Sequence, residues 1–271
     1  MRYRLYAALG AASFSLSACG GGGDQVNSTP PAPTNATLVD LQYSQTFSAR
    51  GAEINYSVAP NGSATPPTSS GGILAGSDYG TEIRYDASSK SYTVKTVGPS
   101  NASMQFTEAD RVAAQSNAAI TVYEKKSGAT IDNLVLSNPG SGNPTRALTY
   151  TSYGAWQRIA QGTSGLDVRT VFLSYGLKTA ASDMPRTGAA SYQTTIDGQF
   201  ADASGVYAVS GNSSFGADFG AGTVNFSMTP VGQHVLNGTK LYFGTLDGTG
   251  TIDFSASSFS ANHCPPSAPM A

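Results

Sequence analysis

Few residues in this chain of 271 could do covalent chemistry, because it has only 2 cysteines and 2 histidines. They are Cys19, Cys264, His234 and His263. A thiolate can be a nucleophile or a metal ligand, and an imidazole can move a proton or hold a metal. His263 and Cys264 are adjacent, without the further ligands that a tetrahedral site needs. They open the segment HCPPSAPMA, residues 263–271, which reads as an atypical Pro-rich tail that cannot form paired central strands. His234 lies in PVGQHVLNG, between strand-like stretches, with no serine or aspartate at a recognisable catalytic spacing. Asp197, Asp202, Asp218, Asp247 and Asp253 crowd the second half of the chain, mostly close to glycines, where aspartate serves turns. GAGTVN, residues 220–225, lacks the third glycine and the helix of a dinucleotide site and reads as a hairpin turn. The expectation is a non-enzyme, with no catalytic residue, no metal site and no cofactor.

Cys19 differs, because its surroundings are those of an attachment point. Arg2 and Arg4 start the chain, and LYAALGAASFSL follows, mostly apolar or small and uncharged. A basic start, a short apolar stretch and small residues before a cleavage point are the signs of a secretory leader. The stretch is too short to span a bilayer, which takes about 20 residues. Leu16-Ser17-Ala18-Cys19 resembles the bacterial lipobox, which implies removal of residues 1–18 and lipid attachment at Cys19. Gly20 stands where an aspartate often marks inner-membrane retention, so the expected location is the outer membrane, lipid-anchored and exposed to the surface or to the periplasm. The four glycines after Cys19 have neither the strand nor the helix of a phosphate cradle. Residues 19–37 read as a flexible Gly/Pro-rich tether reaching roughly 25 Å root-mean-square.

The chain beyond residue 37 is long enough for one large or two small domains. Loss of Arg2 and Arg4 with the leader leaves 13 basic against 17 acidic side chains, so no basic surface for nucleic acid is expected. Charged residues make up only 12% of the chain, against 31 Gly and 14 Tyr, as in exported β-structure with many turns. With Cys19 acylated, Cys264 has no disulfide partner.

Alternation places strands along most of the remainder. Residues 38–58 predict one or two strands, and APNGSATPPTSSGG, 59–72, predicts a loop. TEIRYDASSKSYTVKTV, 81–97, predicts a hairpin turning at DASSK. TEADRVAAQSN, 107–117, is the only good helix candidate, with Thr107 as its cap and Asp110 serving the first turn. Strands follow over 119–123 and 131–137, then RALTYTSYGAWQR, where Gly154 suggests a bulge or close backbone approach. LDVRTVFLSY, 166–175, is expected to pair with it. Trp156 with Tyr150 and Tyr153 reads as packing between two sub-domains, with a binding platform as the alternative. From residue 188, short alternating segments recur about every ten residues, which suggests an antiparallel barrel or sandwich.

MPRTGAASYQTTIDGQF, followed by YAVSGNSSFGADFGAGTVNFSMTPVG, resembles the barrel domain of the transferrin-binding-protein-like lipoproteins. The matching positions are Pro185, Gly188, Ala190, Tyr192, Asp218, Phe219, Gly220, Gly222 and Val224, and YTSYGAWQR resembles the sequence upstream of that barrel. The resemblance implies a mostly β fold: an eight-stranded antiparallel barrel, here incomplete, preceded by a smaller β-rich handle with one short helix. The handle is expected at 38–180 and the barrel at 181–262. It also implies a non-catalytic, membrane-tethered binder of a host protein or of a solute such as haem, in iron or haem acquisition. The alternative is a structural envelope lipoprotein, or a truncated paralogue, with no dedicated ligand. A tyrosine can ligate haem iron, but nothing singles one out here. The family's closing G-x-F-Y-G-P-type motif is missing, so truncation or a change of frame at the C-terminus is an expectation. No ligand-binding residue is assigned.

Overall fold

The computed structural model describes residues 33–59, 64–65, 81–96, 101–162 and 165–264. The leader, Cys19, nearly all of the tether and most of the 59–72 loop lie outside the described residues.

The first sheet is built from β1 (Gln45–Val58), β2 (Ala64–Thr65), β3 (Thr81–Asp86), β4 (Ser91–Thr96), β5 (Ala102–Phe106), β6 (Ile120–Ser127), β7 (Thr130–Ser137), β8 (Thr151–Gln161) and β9 (Leu166–Gly176). Its order is β5-β4-β3-β1-β9-β8-β7-β6, with β2 paired to β1. Every pairing is antiparallel. The predicted hairpin at 81–97 and the predicted pairing of 146–158 with 166–175 are present, with Ile83 opposite Val94 and Trp156 opposite Val171.

This sheet curls until its edges meet. Lys125 Nζ, on β6, donates to the Gln105 carbonyl on β5 at 3.0 Å. Arg111 bridges to Tyr123, and the Val112 amide donates to the Val122 carbonyl at 2.8 Å. Inward-pointing residues from all eight path strands form one core: Phe47, Ile83, Val94, Phe106, Tyr123, Leu134, Leu136, Trp156 and Leu173 among them. Alternation produces this arrangement, because one face of each strand must leave water and a curled sheet shields that face from all sides.

The same edge contacts correct the helix expectation. Residues 107–117 hold two single 3-10 turns, Glu108–Asp110 and Ala113–Gln115. The capping pair is real: the Asp110 carboxylate accepts from the Thr107 amide at 2.8 Å and its hydroxyl at 2.9 Å. The helix stops because the sheet claims the amide of Val112. Barrel closure outcompetes local propensity.

The second sheet comprises β10 (Ala189–Asp202), β11 (Gly205–Asp218), β12 (Thr223–His234), β13 (Lys240–Tyr242), β14 (Leu246–Asp253) and β15 (Ser258–Cys264). Its order is β10-β11-β12-β14-β15, with β13 on β12. It too is antiparallel and curled: the Phe215 ring on β11 meets the Phe259 ring on β15 at 4.8 Å, across the two intervening strands. Edges β10 and β15 do not pair with each other.

The first sheet ends at Gly176 and the second begins at Ala189: the nearly closed barrel is 45–176, and the later segment is the open sheet. The large apolar side chains that fill a lumen are concentrated in the first half, whereas much of the second is Ser, Thr, Asn and Gly. Nor does the tail begin at 263, since Cys264 pairs with Asp247 and His263 with Gly248 on β14. The sheets meet where Tyr56 and Val168, on the barrel's outer face, pack with Val206. Arg146 also lies 3.7 Å from Asp197.

Candidate functional site

Polar and aromatic side chains gather in four places: the barrel's two ends, the turns, and the open sheet's inner face.

Towards the end where β1 finishes and β9 begins, the lumen carries a polar layer. Arg158 donates to Asp132 through Nε at 2.9 Å and Nη2 at 3.2 Å, and Trp156 Nε1 donates to the same carboxylate at 2.8 Å. Arg169 donates to Glu53 at 2.8 Å and to Thr96 at 2.9 Å. Both guanidinium carbons lie over the Trp156 ring, at 5.4 and 5.3 Å. Two cations and two carboxylates balance in this layer, as buried charges must. It was missed in the sequence, although a signal was there: Asp132 shares the parity of Leu134 and Leu136, and Arg158 that of Trp156. A charge on the apolar parity of a strand marks a buried pair.

The other end holds phenols. Leu38 and Leu41 cap it, and with Tyr92, Tyr123, Tyr175 and Leu136 they line a cavity of about 40 Å³. Burial pushes the Tyr123 hydroxyl up to about 12. Burial also pushes Tyr175 up to about 12, against a hydrogen bond from Ser152. Tyr92 is raised further, again chiefly by burial. The phenols stay neutral at physiological pH. Such a cavity has room for roughly three waters, far below the roughly 300 Å³ of a typical ligand pocket. Haem does not fit there.

Trp156 is buried in the lumen; Tyr150 is 60% exposed. Tyr153 takes a hydrogen bond from Arg146 at 3.0 Å. The three do not form a platform, and Trp156 packs inside the barrel instead of between sub-domains. Asp202, Asp218 and Asp253 each accept turn amides, and Asp197 faces Arg146. His234 is buried, and both its nitrogens bond to backbone. Of the positions matched to the family pattern, Ala190 and Val224 flank Ala217 across β10, β11 and β12, and the Phe219 amide donates to the Gly188 carbonyl at 2.9 Å. There they build a hairpin corner. Among the described residues, no group of three or more His, Cys, Asp or Glu could hold a metal, and no helix is long and apolar enough to cross a membrane.

The inner face of the open sheet is the candidate site. Register places Tyr192, Phe215 and Phe226 side by side on β10, β11 and β12. Tyr192 and Phe215 rings lie 6.2 Å apart, and Phe259 closes the row from β15. Gly248 keeps the row continuous, since a Cβ there would collide with the Phe226 ring. Tyr192 is 50% and Phe259 59% exposed, though each touches another ring. The opposite face exposes Ser210, Asn212, Ser214 and Thr229. Clustered exposed aromatics mark interaction surfaces more often than isolated ones do. The row can stack on or shield an apolar or aromatic group.

A nearly closed antiparallel barrel carrying a second, curled sheet with an aromatic inner face defines the class, nearly all β among the described residues. No family model and no curated protein matches it. Among solved structures it is similar to "The Structure of Intact Ap-TbpB (N and C lobes)", at 10% identity and a TM-score of 0.32, covering 83% of this chain and 75% of that one. That likeness is a distant one of fold.

Proposed function

We propose that this chain is a non-catalytic binding lipoprotein of the outer membrane. Cys19 carries the lipid, residues 19–37 form the leash, the barrel is a rigid stand, and the open sheet presents its aromatic row to a host protein or to a solute such as haem. The observation that carries the reading is the row itself, Tyr192–Phe215–Phe259, half in water yet ring to ring. A non-catalytic role is supported by how the polar groups are spent: His234 and three of the five clustered aspartates are committed to backbone amides and carbonyls. The small interior cavity favours the second reading, a structural envelope lipoprotein without a ligand.

Titration with haem and with iron-loaded transferrin separates the two readings. Saturable binding of either probe, weakened about tenfold or more by Tyr192→Ser with Phe259→Ser, is the expected result. Failure of both probes to bind a cooperatively folded chain would leave the structural reading.

A further inference from the structure

Four hairpin turns are braced by an aspartate. Asp86 Oδ1 accepts the Ser88 and Ser89 amides, each at 3.1 Å. Asp202 takes those of Ser204 and Gly205, at 2.8 and 3.2 Å. Asp218 takes that of Ala221, at 2.9 Å. Asp253 takes those of Ser255 and Ala256, at 2.9 and 3.0 Å. Hydrogen bonds from Ser88, then Ser89, hold Asp86 down to about 2, and one from Ser255 lowers Asp253. Each of these four turns is built around a carboxylate.

The β12–β13 turn does the same job with a ring. His234 Nδ1 accepts the Leu236 and Asn237 amides at 3.1 and 3.3 Å, in the places where the aspartates hold theirs. Because Nδ1 accepts, the proton of the neutral ring is on Nε2, which donates to the Ser204 carbonyl at 3.0 Å. The Gly238 amide returns to the His234 carbonyl at 2.9 Å, and the Val235 amide is held by Val206 at 2.9 Å. The turn is rigidly built and carries no carboxylate. Two of its outward side chains are apolar, Val235 at 56% and Leu236 at 67% exposed, beside the exposed polar Asn237 and Thr239, and Tyr242 on the same hairpin is 68% exposed. Lys240, also exposed, lies between them in sequence.

We propose that this hairpin is a membrane-contact finger. Val235 and Leu236 enter the acyl boundary of a bilayer, Tyr242 sits at headgroup depth, and Lys240 meets anionic headgroups. A neutral brace suits that position, because a turn carboxylate would be repelled by an anionic surface and disfavoured near hydrocarbon. The patch is a few side chains, much smaller than the roughly 800 Å² per partner of a stable protein interface. A bilayer demands no shape match, and a tether that already holds the chain at the surface makes a weak contact sufficient. This proposal rests on the lipid-anchored reading for that local concentration.

The test reconstitutes the full chain into phosphatidylethanolamine–phosphatidylglycerol vesicles, with and without acyl-brominated lipid. Leu236→Trp adds an indole at the tip, while native Trp156 is sealed in the barrel and serves as the internal reference. The expected result is a blue-shifted tip emission, quenched by bromolipid several-fold more than wild-type emission. Adding Val235→Ser weakens the contact on the order of tenfold, and Lys240→Glu removes its dependence on phosphatidylglycerol. A tip emission that stays water-like and unquenched in a variant with an unchanged melt overturns the proposal. So does protection of the tip only when a second protein is added. Carbonate washing of cell membranes carrying wild type or Cys19→Ala tests the anchor separately, and the reconstituted quenching stands whichever way that result falls.

Discussion

Trp156 donates its indole hydrogen to Asp132 at 2.8 Å inside the barrel, on an oxygen that also accepts from Arg158 at 2.9 Å. The carboxylate is 2% exposed and the indole 1%. One acid therefore fixes the rotamer of the chain's only tryptophan and neutralises the cation stacked over it.

Asp132→Ala strips both donors of their acceptor. The Arg158 side chain is 34% exposed and can turn towards water, so the cost lies near 2–3 kcal/mol, the low end for a broken buried pair. For a domain of this size that lowers Tm by roughly 5–10 °C. Trp156 emission reports it directly, shifting red in the folded variant. Asp132→Asn, which keeps an acceptor, costs less.

Gly154 faces Leu136 and Leu173 in the barrel wall. A Cβ there would overlap the Val135 carbonyl oxygen and lie 2.9 Å from Leu136 Cδ2. Gly154→Ala therefore destabilises by about 1–3 kcal/mol, although alanine usually favours folded backbone over glycine. A urea melt followed at Trp156 measures the sign.

Alkali attacks the phenol end. Tyr123 and Tyr175 ionise only near 12 in the folded chain and near 10 when unfolded, so the unfolded state loses its protons first. Their contribution is intact below pH 10 and is lost as pH rises from 10 through 12. Urea midpoints are expected to be flat from neutrality to about pH 9 and to fall steeply above 10. Tyrosinate absorbance should show a late fraction that appears only with unfolding.

His234→Ala removes the acceptor of two turn amides. Hydrogen exchange at Leu236 and Asn237 is expected to lose protection while the barrel amides keep theirs, because the turn is a local unit of the second sheet. Equal loss of protection across both sheets would contradict a role confined to the turn.

Strands were legible because a half-buried strand writes its environment with a period of two residues. TEIRYD and SYTVKT show it, and the short turn between them marked a hairpin. Residues 107–117 were not legible: the capping pair is local and readable, but the partner that takes the Val112 amide is a strand ten residues away. The aromatic row was half legible. Phe215 and Phe226 each showed their parity, yet their exposure depended on how far the sheet curls.

The sequence alone determined that this chain is nearly all β and that Asp202, Asp218 and Asp253 serve turns. Those properties are local, set by alternation and turn chemistry over a few residues. Only the tertiary structure decided which sheet closes, that Asp132, Arg158, Arg169 and Glu53 meet around one indole, and that His234 braces a turn that faces water with valine and leucine. Closure depends on edges meeting across long sequence separations, and burial of a charge depends on a partner from another strand. Neither is encoded within any single segment.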